Sequence, residues 1–209
     1  MIETPITDTR PPPGAVQIDG TGRDELRGRA TGVIVGAVMG LTWTGSALGG
    51  LDSVAVAPVL IAAVAIFAAL MTGALRLRRA AVAASAPTPS EAGPEGVRRR
   101  FMLVTVGEGA AIAAAVGILG RSGRSEWMPA VICAVVGLHF IPLARLFDVP
   151  LYYATAVALW LVGATTMILG ATGAAALWQP LPGLGAAVAL WATSLGLLVT
   201  THTGSTVQR

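Results

Sequence analysis

The sequence has no lysine, a single cysteine and few charges of either sign. Charged residues make up 12% of its 209 residues, about half of the roughly 25% that is usual in soluble domains. Cys133 is the only cysteine, so the chain can form no internal disulfide and offers no pair of thiolates to a metal. We interpret Cys133 as a small helix-packing residue. These features argue against a soluble domain, a disulfide-stabilised domain and a thiolate metal site.

Motifs of known enzymes are absent as well. The sequence contains no HExxH, CxxC, GxSxG or glycine-rich phosphate loop, and no constellation of paired carboxylates or an activated nucleophile. A haem bound by His139 and His202 would need both imidazole rings as axial ligands of the same iron. His202 falls near the end of the last apolar run, whereas His139 lies deeper in the membrane. We therefore expect no enzyme activity, no metal and no cofactor.

Long apolar runs dominate the rest of the chain. Hydrophobic residues make up 54% of the sequence, and the mean hydropathy is +0.72. Six runs approach the ~20 residues that a helix needs to cross ~30 Å of hydrocarbon. The sequence predicts an all-α, polytopic transmembrane helix bundle with spans at 31–49, 54–75, 102–120, 127–147, 150–172 and 182–201.

The arginines predict the orientation of these spans. If the N-terminus is inside, all but Arg121 and Arg124 of the fourteen arginines lie in cytoplasmic segments, and the positive-inside rule then places both termini in the cytoplasm. Because the arginines flank apolar runs, we interpret them as topology signals and expect no nucleic-acid partner. Arginine without lysine, with abundant Ala and Gly, is typical of a GC-rich bacterial genome. We therefore expect a multi-pass protein of the inner (plasma) membrane.

The predicted organisation has five parts. Residues 1–30 form a polar, disordered tail with a short basic segment, and this tail is not a cleavable signal peptide. Residues 31–75 form a first transmembrane hairpin, residues 76–100 a cytoplasmic loop, residues 101–202 a four-helix transmembrane unit and residues 203–209 a cytoplasmic tail.

The cytoplasmic loop is rich in arginine and proline, and its centre has too little apolar surface to fold alone. Its two basic ends should lie against anionic lipid headgroups, a contact that contributes ~1 kcal/mol for each arginine near the surface. These arginines are Arg76, Arg78, Arg79, Arg98, Arg99 and Arg100.

Glu108 is the one acidic residue well inside an apolar run. A carboxylate inside a membrane is costly, so its presence there points to a functional site. It follows Phe101, where the run begins, by seven residues, which places it ~10 Å deep at 1.5 Å per residue.

His139 is the second polar residue at that depth. It precedes Phe147, where the fourth span ends, by eight residues, or ~12 Å measured from the same surface. Because the third and fourth spans are antiparallel neighbours, the two side chains can form a charge-assisted hydrogen bond if they face each other.

Two further residues near His139 are site candidates. Pro142 has no N–H, so the carbonyl of Leu138 loses its helical partner and becomes free to hold a water or a cation at a kink. Arg145 either extends to the headgroups or serves a cytoplasmic entrance.

The Glu108–His139 pair admits three interpretations. It is a proton or ion pathway, a ligand-binding site, or a polar clasp that fixes helix register for ~0.6–2 kcal/mol. Gly107 and Gly109 flank the glutamate and would let a neighbouring backbone approach closely, which fits both a clasp and an ion site.

Small residues also mark the first span. Gly32, Gly36 and Gly40 recur at four-residue spacing, a pattern that permits close helix packing. The partner is either another helix of this chain or a second copy in a homo-oligomer. Three tryptophans lie away from the span boundaries and are interpreted as core residues: Trp43, Trp160 and Trp191.

Residues 136–147, together with Tyr152, Tyr153 and Glu108, resemble a signature of small uncharacterised bacterial multi-span membrane proteins. The resemblance covers about the third to fifth spans and implies no activity. Two functional hypotheses stay open. The first is a small proton-coupled transporter or permease that uses the Glu/His pair. The second is a non-catalytic structural or accessory membrane subunit in which the pair is a clasp.

Overall fold

The computed structural model describes residues 20–83 and 95–203, and within them it contains six long α-helices and no strand. The helices are α1 (Gly20–Ala47), α2 (Ser53–Ala83), α3 (Glu95–Arg121), α4 (Met128–Phe147), α5 (Leu151–Ala171) and α6 (Pro180–Thr203). All six are long and apolar enough to cross a membrane. The predicted all-helical, six-span fold is confirmed at this level.

Several helices extend beyond the predicted spans. α2 has 31 residues and is therefore ~46 Å long, well over the thickness of the hydrocarbon layer. It continues through Arg76, Arg78 and Arg79, and α3 already contains Arg98–Arg100 in its first turns. The basic ends of the predicted 76–100 loop are thus helical. Residues 84–94 of that loop, residues 1–19 of the N-terminal tail and residues 204–209 of the C-terminal tail lie outside the described residues.

The connections between helices are short, and a glycine ends the helix before two of them. Gly123 (φ 68°) follows α3, and Gly173 (φ 99°) follows α5, which is the left-handed conformation that commonly ends a helix. A 3₁₀ turn comes next in both places, Ser125–Trp127 and Ala175–Leu177. The rings of Trp127 and Trp178 then meet with centroids 4.9 Å apart, so the two connections lie at the same end of the bundle.

The helices pack in the spatial order α2, α1, α6, α5, α4, α3. The most extensive contact joins α1 to α6, so the first hairpin is integrated with the rest of the bundle instead of forming a separate unit. One core cluster lies between α1, α2 and α6, around Val33, Leu70 and Leu197. A second lies between α4, α5 and α6, around Cys133, Leu159 and Ala186.

α2 and α3 are the two outer helices of this row. The most apolar stretch of α2 is 11% buried, and that of α3 is not buried at all. Their exposed side chains include Ile61, Val64, Leu103 and Val106. Large apolar side chains on such outer surfaces are suited to contact with lipid acyl chains, which need no polar partners.

One end of the bundle collects most of the described arginines, and we call it the basic end. Arg29 donates a hydrogen bond to Thr200 Oγ1 at 2.9 Å, which ties the start of α1 to the end of α6. The end of α2, the start of α3 and the end of α4 lie at this same end of the antiparallel row. Its arginines are Arg27, Arg29, Arg76, Arg78, Arg79, Arg98, Arg99, Arg100 and Arg145.

Candidate functional site

The register of α3 against α4 is set at the basic end. The rings of Phe101 and Phe147 meet edge to face, with centroids 5.9 Å apart. Phe101 begins the apolar run of α3, and Phe147 ends that of α4. Glu108 lies seven residues into α3 from this contact and His139 lies eight residues back along α4, so both side chains reach the same level.

The structure brings Glu108 and His139 together across the α3–α4 interface. Glu108 Oε2 lies 3.3 Å from His139 Nδ1. The atoms are close enough for an electrostatic contact, but Nδ1 has no partner that meets the geometry of a hydrogen bond. The His139 ring also lies near the backbone carbonyl of Val104, one turn before Glu108 on α3. A buried ring nitrogen without a hydrogen bond is unusual. The two side chains are therefore in electrostatic contact but do not form a hydrogen bond with each other.

The two side chains differ in exposure. The side chain of His139 is 11% exposed and that of Glu108 is 20% exposed. An acidic side chain at the centre of a membrane costs ~2.5–3.5 kcal/mol when charged. A neighbouring imidazole can reduce this cost by sharing a proton with the carboxylate. The exposed part of Glu108 lies on α3, an outer helix of the row.

The pair does not lie in a tightly packed core. α3 packs mainly on α4 and has no buried residue in its described apolar stretch. The expectation that Gly107 and Gly109 admit a neighbouring backbone is wrong within this chain, because a Cβ built at either position meets nothing within 4 Å. The two glycines flank Glu108 on an open surface of α3.

Pro142 and Arg145 lie on α4 beyond His139, toward the basic end. α4 is helical through Pro142 and ends at Phe147. Arg145 is exposed in the last turn, where a long cationic side chain can reach the headgroups. Among the described residues, neither forms a hydrogen bond or ion pair with Glu108 or His139.

The three glycines of α1 face α6 inside the bundle. A Cβ at Gly36 would collide with Ser194, and a Cβ at Gly40 would fall within the Trp191 indole. Trp191 also donates a hydrogen bond from Nε1 to the carbonyl of Ala37 at 3.3 Å. Gly32 faces Tyr152 and Leu197. This surface is occupied within one chain, which decides between the two partners left open by the sequence.

A polar contact between α5 and α6 was not anticipated from the sequence. Thr155 Oγ1 and Thr193 Oγ1 lie 2.6 Å apart in a buried position, so one hydroxyl donates its proton to the other. The accepting hydroxyl then donates its own proton to a carbonyl of its own helix, that of Leu151 for Thr155 or that of Ala189 for Thr193. The only sequence signal was the presence of threonines in both spans. The core interpretation of Trp160 is wrong, because this side chain is 51% exposed on the outside of α5.

No cluster of three His, Cys, Asp or Glu side chains with the proximity of metal ligands occurs in the described ranges. The fold and the six apolar helices define a multi-pass helical membrane protein. Comparisons of this chain with protein families, curated proteins and solved structures found no match. The resemblance to small uncharacterised bacterial multi-span proteins stays a prediction.

Proposed function

We propose that this protein is a small proton-coupled transporter or permease of the inner membrane, in which Glu108 and His139 form the proton-exchange site. One observation carries the proposal: a carboxylate and an imidazole from different helices lie 3.3 Å apart within apolar segments. Intramembrane ionisable residues commonly mark ion pathways and proton relays.

The chemistry of the site follows from the two groups. Glu108 takes up a proton, becomes neutral and loses the cost of a buried charge. His139 Nδ1, which has no hydrogen bond, receives or returns that proton over a short distance. Uptake of a proton by Glu108 raises the total charge of the pair by one, and transfer of that proton between the two groups leaves the total unchanged and needs little movement of the helices. Arg145 and the Pro142 segment lie between the pair and the basic end, which we assign to the cytoplasm.

The orientation rests on charge. All but Arg121 and Arg124 of the fourteen arginines lie at the basic end or in the segments attached to it. Arginines concentrate on the cytoplasmic side of membrane proteins, so both termini are cytoplasmic in this proposal.

Proton movement tests the proposal without knowledge of the cargo. The full-length protein is reconstituted in liposomes that contain a pH-sensitive dye, and a potassium gradient with valinomycin sets the membrane potential. The wild-type protein should accelerate proton entry over empty liposomes, and Glu108→Gln should abolish this acceleration. Glu126→Gln is the matched control, because Glu126 is an exposed acid in the short connection before α4.

A second measurement tests the proton site even if the protein transports protons only together with its cargo. Infrared titration of the protein in nanodiscs, from about pH 4 to about pH 9, spans the ordinary ionisation range of Glu and His. Glu108→Gln should remove one intramembrane carboxyl signal that titrates in this range, and His139→Gln should shift it. If neither variant changes the flux or the titration, the proposed proton site does not exist.

A specific observation also favours a second candidate, a structural or accessory membrane subunit. α3 is unburied along its apolar stretch, and Gly107 and Gly109 leave its surface open. Helices associate in membranes through such small residues, so α3 could contact a second copy or another membrane protein, with the Glu/His pair serving as a clasp behind it.

The two candidates predict different results for a bulky residue on the open surface of α3. Gly109→Leu should reduce the mass of the assembled complex in native gels if α3 binds a partner, and it should leave proton flux unchanged if the protein works as a monomer. Gly28→Leu is the control, since Gly28 also has no neighbour within 4 Å but lies at the start of α1. A monomeric mass for the wild-type protein in native lipid would contradict the accessory-subunit candidate.

A further inference from the structure

A cavity of about 400 Å³ opens at the basic end, between the start of α1 and the end of α2. Its wall is formed by Arg27, Thr31, Arg78 and Val82. Two cationic side chains thus come from different helices to one concave site. Its size lies in the range of small-molecule sites, ~300–1,000 Å³.

The charges of this cavity are not neutralised by the described part of the protein. Arg27 and Arg78 form no ion pair there, and the nearby carboxylate of Glu25 pairs with Arg29 instead. The hydroxyl of Thr31 donates to the carbonyl of Arg27 at 2.9 Å, so it supports the backbone that carries Arg27. The two guanidinium groups are left to bind an anion, for which their planar forks are well suited.

A second, shallow groove adjoins the cavity and shares Arg78 and Val82 with it. Its remaining wall is formed by Leu75, Arg79 and Ala83, so it is mostly apolar. A basic cavity beside an apolar groove matches a ligand that has an anionic group attached to a hydrocarbon chain. A free phosphate ion would bind only in the basic cavity and would leave the apolar groove unused.

The position along α2 fits the headgroup layer of the membrane. If the hydrocarbon layer ends near Leu75, the residue before the first arginine of α2, then Arg78 lies ~5 Å and Val82 ~10 Å beyond it at 1.5 Å per residue. The headgroup region on each side of a bilayer is ~5–8 Å thick. Arg78 therefore lies at the level of the lipid phosphates.

We propose that Arg27 and Arg78 bind the phosphate of one anionic phospholipid, with the apolar wall at Leu75, on the membrane side of Arg78, receiving the start of its acyl chain. The lipid would join α1 to α2 at the basic end by bridging their arginines. This inference is independent of the proton-exchange function, because it involves neither Glu108 nor His139.

The test uses the full-length protein in mild detergent, titrated with short-chain phosphatidylglycerol and followed by native mass spectrometry. Short-chain phosphatidylcholine and inorganic phosphate are the comparison probes. We expect one phosphatidylglycerol to bind at least about tenfold more tightly than either probe, since charge-assisted hydrogen bonds from both arginines favour a net negative lipid.

Substitutions locate the binding. Arg27→Gln and Arg78→Gln should each weaken phosphatidylglycerol binding about tenfold, whereas Arg76→Gln should change it less than about twofold. Arg76 is the matched control because it is an exposed arginine on the same end of α2 outside the cavity wall. Val82→Asp keeps both arginines but adds a negative charge to the shared wall, and it should abolish the tight site.

Three results would overturn the proposal. Equal weakening by Arg76→Gln and Arg78→Gln would mean diffuse attraction to the basic end. Displacement of the lipid by inorganic phosphate at comparable concentration would mean a free-anion site. Unchanged binding in Val82→Asp, with an unfolding temperature equal to that of the wild type, would place the lipid elsewhere.

Discussion

The ring of Phe101 packs edge to face on the ring of Phe147, with centroids 5.9 Å apart, where α3 enters the bundle and α4 leaves it. This contact aligns α3 with its antiparallel neighbour α4, on which α3 mainly packs. Because both helices rise 1.5 Å per residue, the alignment at this end brings Glu108 and His139 to the same level two turns deeper.

The coupling between Glu108 and His139 is measurable as a stability difference. Glu108→Gln and His139→Gln should each lower the free energy of unfolding by ~0.6–1.7 kcal/mol, the range of polar contacts between membrane helices. The double variant should lose less than the sum, since one contact is removed in both. Reversible unfolding in bicelles gives these values. Strict additivity would show that the two side chains do not interact.

The packing of Gly40 against Trp191 predicts a strong effect of one added methyl group. Gly40→Ala should cost ~1–3 kcal/mol of stability, because the new Cβ overlaps the indole and forces α1 away from α6. Gly45→Ala on the same helix is the control. Gly45 has no neighbour within 4 Å, so the variant should be neutral or slightly more stable. Similar unfolding temperatures for both variants would contradict the α1–α6 packing.

The hydroxyl contact between Thr155 and Thr193 should contribute modestly to the α5–α6 interface. Thr155→Val removes the 2.6 Å contact while keeping the shape of the side chain. We expect a loss of ~0.6–1.7 kcal/mol in unfolding free energy. Thr42→Val should have less effect, because the exposed Thr42 bonds only to the Val38 carbonyl of its own helix. A larger loss in Thr42→Val than in Thr155→Val would show that the interhelical contact is not formed.

Cysteine labelling tests the orientation of the helices. Cys133 is fully buried and its Sγ lies 3.4 Å from the carbonyl of Leu159, so the native protein should not react with a maleimide until it unfolds. In a Cys133→Ala background, Ser125→Cys should react with a membrane-impermeant maleimide in intact cells. Ala80→Cys, which is exposed near the basic end, should react only after the membrane is opened. The reverse pattern would invert the assigned topology.

The contact between Glu108 and His139 could be predicted from the sequence only in part. Depth along each span follows from counting residues, because helical rise is constant. Counting could not show whether Glu108 faces α4, because rotation about the helix axis depends on which neighbours it packs against. It also could not show that α3 is an outer helix, which leaves Glu108 partly exposed instead of enclosed.

The glycines also show which features could be predicted from the sequence and which depend on the fold. Spacing identified Gly32, Gly36 and Gly40 as a surface for close packing, and only the fold showed that α6 fills it with Ser194 and Trp191. Gly107 and Gly109 suggested the same behaviour and instead face open space. Small residues permit another helix to approach closely, but the spatial order of the helices decides whether any helix lies next to them.

The sequence by itself determined the number of spans, their approximate ends and the polar residues inside them. Those properties are local, because they depend on hydropathy over ~20 residues and on the cost of charge in hydrocarbon. The tertiary structure decided that α1 packs on α6, that Arg27 and Arg78 share a cavity, and that Thr155 meets Thr193. Those contacts join residues distant in sequence, and lipid-facing and helix-facing surfaces of a membrane span are equally apolar, so no hydrophobic pattern marks them in advance.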